Sequence, residues 1–287
     1  MLDRVDRIVI ATHDAEAIAR RWQLLLDGEI TREDTLTAFN SARVVVQLGD
    51  SELEIHQPLG DGPIADHLRE GSGPFAVGFA TPDMAALRSH LDSLGIRGLD
   101  LDDEQLFLDA TALGIPGLRV VISPLKELPA IGLIDSLYEC THLTAATTRS
   151  VERMALVFAL DQQQFVPINS GQYGYDGTLT LFDNTRLHRV ETIHAHDKTK
   201  TMGRYFDRFG ESLYMCYAQA PDLRPIHARL QQHAADNWTG SKDNLDGLFI
   251  HPRATGSIMM GVSRTTYAWS WSGFPERVVP AGYPGSG

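Results

Sequence analysis

Apolar positions in this chain repeat with two periods, and the switches between them mark its elements. Residues 4–11 (RVDRIVIA) alternate and are β-branched, which predicts a strand. Thr12-His13-Asp14 offers a helix N-cap, and 15–26 follows as a helix closed by Gly28. Strands are expected at about 37–48 and 50–57, joined by a Gly49-Asp50 turn. A second unit opens with a strand at 74–81. Its helix at 83–94 buries Met84, Leu87, Leu91 and Leu94 at helical spacing, and strands near 104–109 and 117–123 complete it. The segment 124–136, with two prolines, is a connector. A third unit has a strand at 137–146, a helix at 149–160 and strands near 175–182 and 187–194. The fourth has a strand at 212–219, a helix at 222–233 and strands near 246–252 and 257–270.

The order of elements is duplicated. QLGDSELEIHQPLGDGPIADHLREGSGPFAVGFATPD (47–83) has a looser copy in LHRVETIHAHDKTKTMGRYFDRFGESLYMCYAQAPD (187–222). In both, a Glu-bearing β run precedes a short helix, and a further β run ends at Pro-Asp and opens an amphipathic helix. The fold class expected is α+β: four β-α-β-β-β units in two curved, mostly antiparallel sheets, with helices on the convex faces and ligand cups on the concave ones. The domains expected are 1–128 and 137–272, followed by a Gly- and Pro-rich, loop-like tail at 273–287.

Composition narrows the function classes. The chain has 43% hydrophobic and 22% charged residues, as globular proteins do. Its formal charge of −12 argues against nucleic acid or an anionic membrane as partner, leaving a small-molecule substrate. No apolar run reaches the roughly 18 residues needed to span a bilayer. The N-terminus runs straight into a strand, so no signal peptide is expected. Cys140 and Cys216 lack CxxC spacing and lie in apolar runs, the pattern of buried thiols in a reducing cytoplasm. Gly-rich phosphate loops, GxSxG elbows, HExxH and zinc-finger spacings are absent.

LGDSELEIHQPLGDGPIADHL (48–68) and GLFIHPRATGSIMMGV (247–262) resemble the vicinal oxygen chelate superfamily of glyoxalase I, methylmalonyl-CoA epimerase and the extradiol dioxygenases, with the local likeness nearest to the epimerase. The resemblance implies one ligand position on the first or last strand of each unit. First-strand positions fall on Arg7, Ala76, His142 and Met215, and last-strand positions on Glu54, Val121, Glu191 and Gly261. Only His142, Glu54 and Glu191 are competent ligands, for a divalent Fe, Mn, Co, Zn or Ni, or for no metal at all. The resemblance also leaves a homodimer open.

The expected active pair is His142 and Glu191, from the first and last strands of one unit, as metal ligands or as a base and its partner. The reading implied is a lyase or an isomerase/epimerase acting on a small oxygenated organic substrate in the second domain, the first being degenerate. Tyr214, Trp269 and Arg7 are candidate substrate contacts, against plainer roles as core aromatics and, for Arg7, an ion pair that replaces the lost metal. Trp269 and Trp271 are expected to alternate on the last strand. The rival readings are a metal-free protein that sequesters an apolar compound, and an extradiol-type dioxygenase with an altered iron site.

Overall fold

The computed structural model describes residues 1–102, 104–240 and 246–280, so the end of the expected tail, from 281, lies outside the described residues. The first module comprises β1 (Arg4–Ala11), α1 (Ala15–Leu26), β2 (Glu29–Leu36), β3 (Ser41–Leu48) and β4 (Ser51–Pro58). A short helix α2 (Pro63–Leu68) leads to the second: β5 (Gly73–Thr81), α3 (Met84–Ser93), β6 (Leu99–Asp100), β7 (Leu106–Leu108), α4 (Ala110–Leu113) and β8 (Val120–Pro124). The third is β9 (Ser136–Leu143), α5 (Thr147–Phe158), β10 (Val166–Ser170), β11 (Tyr175–Leu181) and β12 (Arg189–His194). Helix α6 (Thr201–Phe209) leads to the fourth: β13 (Ser212–Ala220), α7 (Arg224–His233), β14 (Trp238–Gly240), β15 (Gly247–Ile250), α8 (Pro252–Thr255) and β16 (Met259–Arg264).

Among the described residues these strands form two eight-stranded sheets of identical order, β2-β3-β4-β1-β5-β8-β7-β6 and β10-β11-β12-β9-β13-β16-β15-β14. Pairing is antiparallel except where each module's first strand meets its last: β1 with β4, β5 with β8, β9 with β12 and β13 with β16. Modules neighbouring in sequence join antiparallel through their first strands, so one curved sheet is built by each half of the chain. This is the expected α+β architecture.

Local chemistry explains the helices. The Asp14 and Asp83 side chains accept from the Ala17 and Ala86 N–H groups, satisfying donors that the first turns leave open. Helix α1 buries Ile18, Ala19, Trp22, Leu25 and Leu26 along one stripe. The helix-bearing faces of both sheets share one apolar core, in which Phe79 of the first half meets Phe158 and Phe182 of the second edge-on. Cys140 and Cys216 are free, buried and opposite each other on β9 and β13.

Two elements differ from the sequence reading. Strands β2 (EITREDTL) and β10 (VPINS) lie at sheet edges with largely open side chains, so their polar pattern carried little strand signal. The last strand stops at Arg264. Thr266 turns the chain with a left-handed backbone (φ 68°) into a 3-10 turn, Tyr267–Trp271, so Trp269 and Trp271 do not alternate on a strand.

The two cups are finished differently. In the first, Phe39, Phe75 and Phe107 pack ring to ring at 5.0–5.7 Å, and α2 drives Ile64 and Leu68 among them. In the second, the matching helix α6 buries only Gly203 fully, and its Met202, Tyr205 and Phe206 lean over the sheet half-exposed. The first cup is full. The second holds a cavity of about 750 Å3.

Candidate active site

The register of the central strands decides which side chains share a cup. In the first sheet Arg7 stands opposite Glu52 and Gly78, and Val9 opposite Glu54 and Ala76. In the second, Glu139 stands opposite Arg189 and Tyr217, and Thr141 opposite Glu191 and Met215. The counterpart of Arg7 is therefore Glu139, and that of Glu54 is Glu191. The Arg–Glu pair of the first sheet recurs in the second with its charges exchanged between strands.

That exchange changes the state of the equivalent carboxyls. Arg7 reaches Glu54, Glu52 (3.1 Å) and Asp6 (2.8 Å), its stem lying where a side chain at Gly78 would be. Burial pushes the Glu54 carboxyl up, but Arg7, then His56 and Arg43, outweigh it and hold it well below the usual range. Glu54 is an anion in a network that Gln105 completes at 3.3 Å. In the second cup Arg189 is spent on Glu139 (Nε to Oε2 2.5 Å) and stacks on the Tyr138 ring, 5.2 Å from its centre. Glu191 has Thr141 donating to it at 2.5 Å, and the Tyr175 phenol is close enough to act on its charge. Burial first, and the neighbouring Glu139 charge second, push its carboxyl up to about 8. The same fold position holds an anion in one cup and a neutral acid in the other.

Tyr175 and Tyr217 stand between Glu191 and the cavity, whose lining they share with Tyr214, Met215, Phe249 and Met259. Tyr214 stacks edge-on against Tyr205 of α6 at 4.9 Å, and its hydroxyl reaches the Met259 sulfur at 3.6 Å. The cavity thus has aromatic and thioether walls, phenols on its floor, and behind them the buried Glu191 beside the Glu139–Arg189 pair.

The structure does not bring His142 and Glu191 together. Glu191 shares its face with Thr141, and His142, the next residue on an unbroken β9–β12 pairing, points to the other side. Its Nε2–H donates to the Pro116 carbonyl at 2.8 Å, in the seam between the halves. Burial lowers its pKa to about 4, so it is neutral. The shared cup expected for this pair is corrected accordingly: the β9 position that matches Arg7 is Glu139, three residues before His142, and an odd slip exchanges the faces of a strand. Arg7 and Glu54 are engaged with each other, as the ion-pair alternative held. Trp269 packs on Phe274 at 5.4 Å under the Arg277 guanidinium, away from the cavity lining. Of the candidate substrate contacts, Tyr214 lines the cavity. Glu139, Arg189 and Tyr175 were missed. For Glu139 and Arg189 the signal was a charge inside the apolar runs SLYECTHL and LHRVETIH, legible only once those strands are paired; Tyr175 carried none.

A divalent metal, which the resemblance implies, does not fit the donors present. The second cup offers Glu191 with Thr141, Met215 and Gly261, and the Tyr217 ring lies across Gly261 where a ligating side chain would start. In the first cup the Arg7 guanidinium occupies the carboxylate. Among the described residues no three His, Cys, Asp or Glu side chains gather as a metal site.

No protein-family model matches the chain, and no curated protein matches it in sequence. Solved structures match its fold. A mutant of 4-hydroxymandelate synthase from Streptomyces coelicolor aligns with a TM-score of 0.63 at 12% identity, over 92% of this chain and 93% of that one. A xylose isomerase-like TIM barrel/4-hydroxyphenylpyruvate dioxygenase fusion protein aligns with a TM-score of 0.60 at 12% identity, over 92% of this chain and 49% of that one. Streptomyces coelicolor methylmalonyl-CoA epimerase, in complex with 2-nitronate-propionyl-CoA, has 20% identity and a TM-score of 0.38, over 44% of this chain and 100% of its own. The fold defined is a tandem, four-module α+β cradle. It is the vicinal oxygen chelate fold in its two-domain form. No helix among the described residues is long and apolar enough to cross a membrane.

Proposed function

We propose that this chain is an enzyme of the vicinal oxygen chelate fold that moves a proton on a small oxygenated organic substrate, in the manner of an isomerase or lyase, with Glu191 of the second domain as acid and base. The observation that carries the reading is the Glu191 carboxyl, buried with no ion-pair partner among the described residues, behind tyrosines at the floor of the cup that is not filled by its own side chains. Perturbed carboxyls of this kind suit proton transfer near neutral pH.

At neutral pH Glu191 holds the proton. A substrate carbonyl oxygen in the cup takes the Tyr175 proton, the Tyr175 O–H bond breaking as the new one forms, while the Glu191 proton passes to Tyr175; the protonated carbonyl makes the C–H bond beside it acidic. The carboxylate left on Glu191 then accepts, by the reverse route, the proton that the neighbouring substrate carbon releases. The net change is one proton moved from carbon to oxygen, with Thr141 holding the carboxylate in place at 2.5 Å. The tyrosine and methionine walls bind the apolar part of the substrate and exclude water.

The test is deuterium exchange from heavy water into carbon-bound protons of small 2-oxo acids and aromatic ketones, followed by NMR. Wild type should catalyse exchange with at least one member of the panel. Glu191→Gln and Tyr175→Phe should each slow it by about 100-fold or more. Exchange at the wild-type rate in Glu191→Gln overturns the proposal, as does tight binding in the cup without any exchange, the outcome that a sequestering protein would give.

A further inference from the structure

The chain carries a formal charge of −12, yet the wall and rim of the second cup gather Arg119, Lys200 and Arg204. Among the described residues none of the three has a carboxylate within ion-pair distance. That sets them apart from the buried arginines: Arg4, Arg7, Arg43, Arg189 and Arg264 each sit on an Asp or Glu. Of the two acids that line the same cavity, Glu211 is committed to the Thr144 hydroxyl (2.7 Å) and the Ala145 N–H (3.2 Å), and Glu70, exposed at the rim, acts on Arg119 through space without an ion-pair contact.

Arg119 is the cation best built for a ligand. It precedes β8 in the first domain, and its guanidinium lies over the Phe75 ring, 5.0 Å from the centre. Nη1 donates to the Nδ1 of His67 at 3.4 Å. Burial and the Arg119 charge hold His67 neutral, with its pKa lowered to about 4, so the imidazole aims the guanidinium without neutralising it. Gly117 fixes the approach: its left-handed backbone (φ 74°) lies against the Glu211 carbonyl of the second domain, leaving no space for a β-carbon. A half-buried guanidinium is costly unless its fork of donors is met, and planar anions meet it bidentately.

We propose that the second cup takes an organic anion, an apolar body against its tyrosines and methionines with a carboxylate or phosphate head group held by Arg119 of the first domain and steered by Lys200 and Arg204. This rests on the second cup being the working site. It adds that the site is completed by both halves of the chain and that neutral analogues are poor ligands.

The test is calorimetric titration of the full chain with naphthalene-2-carboxylate, 2-naphthyl phosphate and the uncharged naphthalene-2-carboxamide. One of the two anions should bind at least ~10-fold more tightly than the amide, and which one identifies the head group. The preference should weaken as salt is added. Arg119→Gln should abolish it, and the exposed Arg204→Gln should reduce it about 2-fold. Equal binding of amide and anions, binding of none of them at millimolar concentration, or an undiminished preference in folded Arg119→Gln overturns the proposal. If Arg119→Gln does not fold, the Lys200→Gln/Arg204→Gln double variant and the salt dependence decide, and no effect from either overturns it. Glu191→Gln separates the two proposals: it should keep the anion preference while losing proton exchange. A Glu191→Gln variant with both intact would remove the acid–base reading and leave this one standing.

Discussion

Replacing Glu191 with Gln should make the protein more stable while removing its proposed chemistry. The folded chain holds this carboxyl near 8 where the ordinary value is 4.5. Between those values the unfolded chain releases a proton that the folded chain keeps, so folding must pay to restore it and wild-type stability falls as pH rises from 4.5 through 8. From 4.5 to 7 the cost is about 3 kcal/mol at 2.303RT per pH unit. An amide at 191 escapes the cost and still accepts the Thr141 hydrogen bond. Urea unfolding at pH 5, 6, 7 and 8 measures the difference. The stability gap between Gln variant and wild type should be small at pH 5 and widen by about 1.4 kcal/mol per pH unit up to about pH 8. A gap that does not change with pH, or a variant less stable than wild type throughout, would refute the claim that Glu191 is held neutral.

The first cup predicts the opposite sensitivity. Arg7→Met should cost about 3–5 kcal/mol in denaturant unfolding, because it strands Glu54 as a buried anion, and adding Glu54→Gln should restore at least half of the loss. His142, held at about 4 against an ordinary 6.5, keeps its full contribution above pH 6.5 and loses it as pH falls toward 4, about 3 kcal/mol in all. His142→Gln should therefore flatten the acid limb of the stability curve, and an unchanged limb would count against the seam assignment. Gly117→Ala should lower stability by at least about 2 kcal/mol, read from the melting temperature, because the added carbon meets the Glu211 backbone at a left-handed φ; a change within about 0.5 kcal/mol would show the seam is loose.

Much of the architecture was legible in the sequence, because its signals are local. The helix of 15–26, the Gly49 turn and the Pro-Asp entries to α3 and α7 each follow from a few neighbouring residues. The duplicated order of strands and short helices supplied the four modules. What escaped depends on partners distant in sequence. Placing His142 in the cup needed the register of β9 against β12, and a three-residue displacement turned a seam histidine into an apparent active-site base. The Glu139–Arg189 pair carries no motif, since each residue is an isolated charge in an apolar strand. Whether a cup is empty was also hidden. Helices α2 and α6 occupy matching places, yet Ile64 and Leu68 fill one cup while Tyr205 and Phe206 only lean over the other.

The account turns on the protonation of a single side chain, and infrared difference spectroscopy reads it directly. Titrating wild type from pH 6 to pH 9, with Glu191→Gln as the subtraction reference, should reveal a carboxylic acid carbonyl band that disappears with a midpoint near 8. No such band at pH 6, with a carboxylate signal in its place, would show that Glu191 is as ionised as Glu54 and would contradict the account at its centre.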